Sequence, residues 1–437
     1  MAPPAAPPAP APAPAADPRT AGLVPRDAVP VPGEPALHWS SRVHSIPDIE
    51  LELAKIWAIP KRTATIEGHE EHHIAARTSV MNLVVVARRQ EIGEHAAAII
   101  QQLTGRHPSR TMIITSADPE GRSWLDASVQ AYCVLPRADA AETCAEQIYI
   151  RAGGAAGRHL GAIVAPLLVH DLPVTLWWPG EPPFDSVVAR DLLGMADRLV
   201  IDGSTWGGDG LARLREMSAA MDRDRLSVSD FALTRQSRWR EAIASVFDLP
   251  EFTQFLPAIR RVAVTYGTHD ETGAPGTTNV VKPVYHVAWL ASRLGMSVVR
   301  PLAPVEGPRP GARPPVKVPG RPGSGGPLHR GLAGQLKAAK SDIAIVVRPV
   351  VSPMPSGTTL RVEILADRRG SELRADVTAE AETVHVHVWL DGVEALDRSF
   401  LAPRRTEVDL HADSLEAGGP DPIARETIRM AARLTGS

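Results

Sequence analysis

The sequence predicts an α/β protein: a main body with a mostly parallel sheet covered by helices, followed by a smaller, β-rich α+β C-terminal domain. Strand-length apolar runs alternate with helix-length segments from about residue 46 to residue 295. A Pro/Gly-rich segment at 301–328 interrupts this alternation. After it come short segments rich in alternating β-branched residues.

The elements of the body follow from start and stop signals. Asp48 can cap a helix over 46–57, which Pro60 ends, and 79–87 is a continuous apolar run, typical of a strand buried on both faces. The other predicted elements are, in order, helix 91–103, strand 110–115, strands near 123–135 and 145–151, helix 158–169, strand 173–178, helix 184–195, strand 198–201, helices 211–221 and 236–247, strand 260–265 and helix 285–294.

The C-terminal part is predicted to be an antiparallel sheet carrying one helix. Its expected elements are strands 341–347, 358–365, 372–378, 383–390 and 405–410, and helix 423–434. The sequence thus divides into a disordered Ala/Pro-rich tail (1–37), an α/β body (38–300, with a further division into 38–155 and 156–300 left open), a linker (301–328) and a β-rich domain (329–437).

Composition excludes several classes of protein. The net charge of −3 comes from many opposite charges, which disfavours nucleic acid or an anionic membrane as the main partner. No apolar stretch approaches the roughly 18 residues of a membrane span. The proline-rich start lacks the basic and apolar regions of a signal peptide, and two cysteines suit a reducing compartment. The expected location is the cytoplasm.

One segment matches a zinc-protease motif. His69-Glu70-Glu71-His72-His73 fits H-E-x-x-H, in which a buried helix presents both histidines to the metal and the glutamate to its water. The surrounding residues are polar, however, and Gly68 stands at the entrance. A solvated loop is the favoured interpretation, and we predict no metal site.

A glycine-rich segment, Arg151–His159, precedes a predicted helix and could hold a phosphate. It lacks the Gly-Lys-Ser/Thr ending of a P-loop and the spacing G-x-G-x-x-G. A tight strand-to-helix turn explains it better, so we predict no cofactor.

Two regions are candidates for partner binding. Arg106, His107 and Arg110 lie in one loop that could hold a phosphate or a carboxylate, although solvated charges would also explain it. Trp177 and Trp178 end a strand, so their side chains point to opposite faces: one is expected in the core, and the other, taken as Trp178, at the rim. Trp239 is a further candidate.

Cys133 and Cys144 lie on two predicted strands joined by a short turn. They are either two buried thiols or a reversible disulfide with a regulatory role. His385 and His387 share one face of a strand, which is more typical of surface or core histidines than of metal ligands. We find no nucleophile–base–acid set.

Six blocks of the chain, in this order, resemble the OpcA family. They are 77–86, 107–110, 166–180 (ending Leu-Trp-Trp-Pro-Gly), 196–202, 229–243 (containing Trp-Arg-Glu) and 288–295. The resemblance covers about 45–300 well and 330–437 weakly.

This resemblance implies a non-catalytic assembly factor or allosteric activator of glucose-6-phosphate dehydrogenase, the enzyme that supplies NADPH in the oxidative pentose phosphate pathway. In photosynthetic relatives the family is linked to thioredoxin, which would give Cys133 and Cys144 a redox role. The alternatives are a zinc hydrolase using His69, Glu70 and His73, a sugar-phosphate enzyme using the 107–110 loop, or a scaffold for another client.

Overall fold

The computed structural model describes residues 22–23, 34–58, 62–66, 69–73, 76–77, 79–117, 120–134, 143–269, 278–306, 329–338, 341–380, 382–417 and 419–436. Most of the predicted tail and residues 307–328 of the predicted linker lie outside these ranges.

The described residues contain twenty strands. The strands are β1 (Gly22–Leu23), β2 (Ala36–Val43), β3 (Arg62–Ile66), β4 (His69–His73), β5 (Ala76–Arg77), β6 (Met81–Ala87), β7 (Ser109–Ala117), β8 (Trp124–Val134), β9 (Thr143–Gly153), β10 (Val174–Trp177), β11 (Arg198–Ile201), β12 (Ser227–Asp230), β13 (Ile259–Thr268), β14 (Ser297–Glu306), β15 (His329–Ala338), β16 (Ser341–Val351), β17 (Thr359–Arg368), β18 (Ser371–Glu380), β19 (Thr383–Leu390) and β20 (Val393–Leu401).

Helices connect some of these strands, all of them before β15, and two further helices follow β20. They are α1 (Ile46–Ala58), α2 (Gln90–Leu103), α3 (Gly154–Arg158), α4 (Leu160–Val164), α5 (Val187–Leu193), α6 (Leu211–Arg223), α7 (Phe231–Thr234), α8 (Ser237–Phe247), α9 (Pro250–Thr253), α10 (Val281–Arg293), α11 (Glu407–Glu416) and α12 (Pro422–Leu434). Within the described residues, no helix is both long and apolar enough to cross a membrane.

The first sheet has the order β1-β2-β8-β9-β7-β6-β10-β11-β12, with β5 pairing with β9. The strands from β9 to β12 in that order run parallel, whereas β8, β2 and β1 form an antiparallel extension. Every residue of β6 is buried, as its largely apolar sequence predicts for a strand covered on both faces. The predicted α/β fold class is confirmed.

Two clusters of core residues flank this sheet. Val84 and Met112 belong to the larger cluster, while Leu83, Val85 and Ile113 belong to the smaller one, because alternate strand residues point to opposite faces. The smaller cluster also takes residues from α2 and, from far along the chain, α11. The C-terminal region therefore supplies one of the helices that cover the first sheet.

The second sheet has the order β14-β15-β16-β13-β17-β18-β19-β20. Its strands are antiparallel except for the parallel pair β13 and β16. Helices α8 and α10 pack on one face of it. Although β13 and α10 precede the predicted linker, they belong structurally to this second sheet.

Several sequence-based expectations are wrong in detail. Residues 36–37 of the predicted tail and 301–306 of the predicted linker are strand residues. Residues 158–169 form short helical pieces rather than one helix. The predicted strand at 405–410 lies largely in α11, because Thr406 and Asp409 form a capping box at its start.

Candidate functional site

The predicted partner-binding loop is already in contact with the protein's own helix α11. Arg106, whose side chain is 60% exposed, forms an ion pair with Glu416, and Nε2 of His107 lies 3.7 Å from Oε1 of the same carboxylate. Burial lowers the pKa of His107, and the Glu416 charge partly offsets this. The carboxylate that this loop contacts belongs to the same chain.

Arg110 does not reach the surface. Its Nε donates to Oε2 of Glu146 at 2.6 Å, and its Nη1 donates to the carbonyl of Leu167 at 3.0 Å. The same Nη1 lies 3.6 Å from Oε1 of Glu50. Only 4% of Arg110 is exposed. A sequence-based assignment to a partner surface is not supported at this position, since the guanidinium group is used inside the fold.

Asn82 has a similar structural role at the amino end of the neighbouring strand. Its side chain donates to the carbonyls of Val169 and Leu172 and accepts from the Val169 N–H at 2.8 Å. Together with Arg110 it fixes the segment that leads into β10. Three of the sequence blocks noted above thus meet at one edge of the sheet, where they stabilise the fold.

The tryptophan candidates are also buried. Trp177 and Trp178 are 2% and 3% exposed and point into the two opposite core clusters, so the expectation that Trp178 lies at the rim is wrong. Trp239 is 9% exposed and packs against His286, with 5.2 Å between the ring centroids. Because β10 is a parallel strand covered on both faces, Trp177 and Trp178 have no rim position at its end, and Trp239 on α8 is buried as well.

The segment His69–His73 forms strand β4 and pairs with β3, so it is neither a helix nor the predicted loop. Residues four apart on a strand are about 13 Å apart, whereas the H-E-x-x-H site requires the roughly 6 Å of one helical turn. The backbone therefore does not form the zinc-protease geometry. In the part of the chain that the structure describes, no group of three or more His, Cys, Asp or Glu side chains could hold a metal ion.

The glycine-rich turn after β9 has a steric requirement for glycine. Gly154 has φ of 58°, and a Cβ atom there would lie 2.6 Å from the backbone of Arg122. Since α3 has only five residues, the tight turn that the sequence predicts accounts for this segment.

Cys133 and Cys144 form a disulfide between directly paired residues of β8 and β9. Both residues are 1% exposed. Of the two alternatives from the sequence, the structure shows the disulfide. Thiol–disulfide exchange requires in-line access to a sulfur atom, so a reductant can react with this disulfide only after the hairpin opens.

Burial predicts slow reduction of this disulfide in the folded protein. We expect dithiothreitol to reduce it at least tenfold more slowly in buffer than in denaturing urea, since only the opened fraction reacts. Quantifying free thiols over time in the two conditions provides the test. Equal rates would show that the hairpin is open in the native state.

Sequence reasoning missed a polar cluster at the carboxyl ends of β11 and β12. Asp230 is 1% exposed and accepts hydrogen bonds from the N–H groups of Gly203 and Ala232 and, at 2.6 Å, from the Tyr285 hydroxyl. Burial raises the pKa of Asp230 to about 6, and the nearby Asp202 adds to the increase. One feature of the sequence could have revealed this cluster: two successive strands each end with an aspartate, Asp202 directly after β11 and Asp230 as the last residue of β12.

Two cations complete this cluster. Arg235 donates to Asp202 at 2.6 Å, and burial lowers the pKa of the neighbouring Lys282, with a further contribution from the Arg235 charge. Because Tyr285 lies on α10 and Asp230 ends β12, the cluster connects the first sheet to a helix of the second. We interpret it as a structural joint.

Removing one hydrogen-bond donor from this joint should destabilise the folded protein. The variant Tyr285→Phe leaves the buried Asp230 carboxylate one hydrogen bond short, so we expect the free energy of unfolding to fall by about 1–3 kcal/mol. Chemical denaturation measures this value. The exposed Thr205 hydroxyl, which hydrogen-bonds a backbone carbonyl nearby, offers a control as Thr205→Val, for which less than about 1 kcal/mol is expected.

A groove of about 530 Å³ lies between α2 and strands β2, β8 and β9, on the face opposite α1. Amide and hydroxyl side chains predominate in its lining, together with a few charges at the mouth: Arg42, Gln90, Glu94, Gln101, Asp126, Ser128, Gln130, Gln147, Tyr149 and Arg151. Amides both donate and accept, so the groove suits a peptide backbone or another neutral polar ligand.

Internal hydrogen bonds fix the walls of this groove. The Tyr149 hydroxyl donates to the carbonyl of Gln90 at 2.9 Å, and the Gln101 amide donates to Gln147 at 3.1 Å. At the mouth, Arg42 makes two hydrogen bonds of 2.8 and 2.9 Å to Asp126, which lower the pKa of that carboxyl. These rigid walls favour binding, because little side-chain entropy is lost when a ligand docks.

The chain thus combines two sheets, a polar groove beside α2 and a polar joint between the sheets. Two family models match it, and both describe a glucose-6-phosphate dehydrogenase subunit. The model of its N-terminal domain matches residues 100–219, and the model of its C-terminal domain matches residues 226–428. Together they span most of the sequence. The chain belongs to the OpcA family of glucose-6-phosphate dehydrogenase assembly proteins.

Solved structures that are similar to this chain are distant in sequence. They include the transcriptional regulator Gal80p from Kluyveromyces lactis (9% identity, 82% of this chain and 88% of that one, TM-score 0.42), a super-repressor mutant of Gal80p from Saccharomyces cerevisiae (12%, 77% and 85%, 0.38) and a probable dehydrogenase from Thermotoga maritima (12%, 81% and 94%, 0.39). A comparison with curated proteins gave no significant match.

Proposed function

We propose that this chain is a non-catalytic partner of glucose-6-phosphate dehydrogenase, which assists its assembly or activates it in the oxidative pentose phosphate pathway of the cytoplasm. The match of both domain models, over 100–219 and 226–428, is the observation that carries this proposal. Two observations weaken the enzymatic alternatives: His69–His73 is a strand rather than a helix, and Arg110 of the 107–110 loop is buried.

Physically, such a protein must bind one conformation or oligomer of the dehydrogenase more tightly than the others, since differential affinity sets how far an equilibrium can shift. A preformed surface serves this purpose better than a flexible one. The groove beside α2 provides such a surface, and we propose that a segment of the dehydrogenase docks there. Arg106, at the end of α2, is the predicted partner-binding residue that remains exposed.

The disulfide between Cys133 and Cys144 gives the protein a means of redox control. It links β8 and β9, which carry Ser128, Gln130 and Tyr149 of the groove. We propose that reduction, by thioredoxin or another dithiol protein, loosens this hairpin and so weakens docking. Each sulfur accepts one electron on reduction, and the dithiol donor is oxidised to its own disulfide.

The activity of glucose-6-phosphate dehydrogenase from the same organism, titrated with this protein, tests the proposal. We expect a saturable rise in rate or in substrate affinity, and a smaller rise after the protein has been reduced. Absence of any change, together with separate elution of the two proteins on a sizing column, would overturn the proposed function.

A substitution in the groove tests the docking site. Ser128→Arg places a long side chain on the groove floor, and we expect it to raise the concentration needed for half-maximal activation at least tenfold, with unchanged stability. Ser297→Arg, at an exposed position at the start of β14, is the matched control. Equal activation by both variants would place the contact elsewhere while leaving the activator role intact.

A further inference from the structure

The second sheet is covered on one face only. Its inward-pointing residues, such as Val362 and Val386, are 2% and 0% exposed beneath α8 and α10. Alternate residues on the same strands point the other way, and there most side chains remain partly exposed. We call this partly exposed outward side the open face.

A rigid cluster of charged and aromatic side chains lies on the open face. Arg361 forms ion pairs with Glu363 and Asp376, and Arg374 also pairs with Asp376, at 2.9 Å. The Arg374 guanidinium lies 5.2 Å from the centroid of the Trp389 ring. Arginine and tryptophan are the residues most enriched at the centres of protein interfaces, and here their conformations are already fixed.

The cluster continues towards the edge of the sheet. His387 stacks on Trp389, with 5.8 Å between ring centroids, and lies 3.5 Å from Asp397 on β20. Exposed apolar side chains lie elsewhere on the same face: Val350 on β16 is 38% exposed, and Leu401 at the end of β20 is 80% exposed. An exposed surface that combines such groups is typical of a site for another protein.

We propose that the open face is a self-association surface, on which a second copy of this chain docks face to face around a two-fold axis. Both signs of charge occur on it, with Arg361 and Arg374 near Glu363, Asp376 and Asp397. A two-fold interface brings one patch against itself, so it requires a mixed surface of this kind. A partner with charge of a single sign would meet like charges.

The area of the open face is sufficient for docking of a second copy of the chain. Eight strands spaced about 4.8 Å apart, each about 30 Å long, present a face of roughly 1,000 Å². A stable interface of standard size buries about 800 Å² on each partner. The open face is therefore large enough to form a stable dimer without other contacts.

This inference does not depend on the proposed function, because it concerns the chain alone. Sedimentation equilibrium of the full chain, over micromolar concentrations, measures the dimer dissociation constant. We expect Trp389→Glu to raise that constant about 30-fold or more, the effect of losing a central contact residue. Leu401→Asp, at a more exposed position on the same face, provides a second variant in case Trp389→Glu does not fold.

The matched control is Leu51→Asp, which changes a 60% exposed leucine on α1, next to the first sheet. Dissociation by the open-face variants but not by the control would support the proposal. A monomeric parent chain would overturn it, even if that monomer activated the dehydrogenase. A dimer that all three variants leave intact would also overturn it, since another surface would then hold the copies together.

Discussion

The variant Arg110→Glu is expected to lose most of the stability of the protein. Arg110 is paired with Glu146 in the interior, where their side chains are 5% and 0% exposed, and Glu50 lies 3.6 Å away. Removing one partner of a buried ion pair costs about 3–5 kcal/mol, and a new carboxylate beside two others adds repulsion. A whole domain is stabilised by only about 5–15 kcal/mol.

Denaturant unfolding of three variants would test this expectation. Arg110→Glu should unfold at a much lower denaturant concentration than the parent. The double variant Arg110→Met/Glu146→Met should recover much of the loss, because replacing a buried ion pair with apolar residues is often neutral. Arg106→Glu is the control: its side chain is 60% exposed, so its ion pair should contribute no more than about 1 kcal/mol. An Arg110→Glu chain as stable as the parent would contradict the observed burial.

Mild acid should destabilise the protein through two buried histidines. His286 contacts Trp239 and lies near the Arg240 charge, and burial lowers its pKa from 6.5 to about 3. His411 is enclosed by Trp177 and Phe231, and burial, with a contribution from His95, also lowers its pKa to about 3. The unfolded chain gains these protons as pH falls below 6.5, whereas the folded protein does not until about pH 3.

The free energy of unfolding should therefore decrease as pH falls from 6.5 towards 3. At pH 5 the expected loss is about 2 kcal/mol for each histidine. Asp230 acts in the opposite direction: its folded-state pKa of about 6 lies above its ordinary value of 3.8, so protonation between these values favours the folded state. It should restore about 1.5 kcal/mol at pH 5, leaving a net loss of about 2.5 kcal/mol.

Urea unfolding at pH 7.5 and pH 5 checks this dependence. The double variant His286→Leu/His411→Leu lacks the two most strongly shifted histidines, so it should lose much less stability than the parent over this range, with the lowered pKa of His107 still opposing the gain through Asp230. The exposed His95, changed to Leu, serves as the control and should keep most of the pH dependence of the parent. If the double variant lost as much stability as the parent, other groups would have to be responsible.

Local patterns in the sequence predicted much of the fold. The apolar run at 79–87 predicted β6, and helix-length segments between strands predicted α1, α2 and α12 nearly to their bounds. The pairing of β13 with β16 was not predictable in this way, because these strands are about 80 residues apart in the chain and neither contains a signal that specifies its partner. Strand β14 was missed because its prolines resemble a linker.

The candidate site could be predicted from the sequence less well than the fold. Charge suggested that Arg110 was exposed, but a charged residue can be buried when a partner such as Glu146 compensates it, and that partner lies on another strand. The groove also left no local pattern, because α2, β2, β8 and β9 contribute its walls separately. The capping box at Thr406 and Asp409 was legible in the sequence and would have predicted α11.

The position of α11 determines when the protein can finish folding during its synthesis. The last strand of the first sheet ends at Asp230, but the helix whose His411 packs on Trp177 and Phe231 begins at Glu407. At about 5–20 residues per second, a ribosome needs roughly 10–40 s to make the intervening chain. During this interval the nascent sheet presents an uncovered apolar surface, which makes it a natural client for chaperones that bind chains still attached to the ribosome.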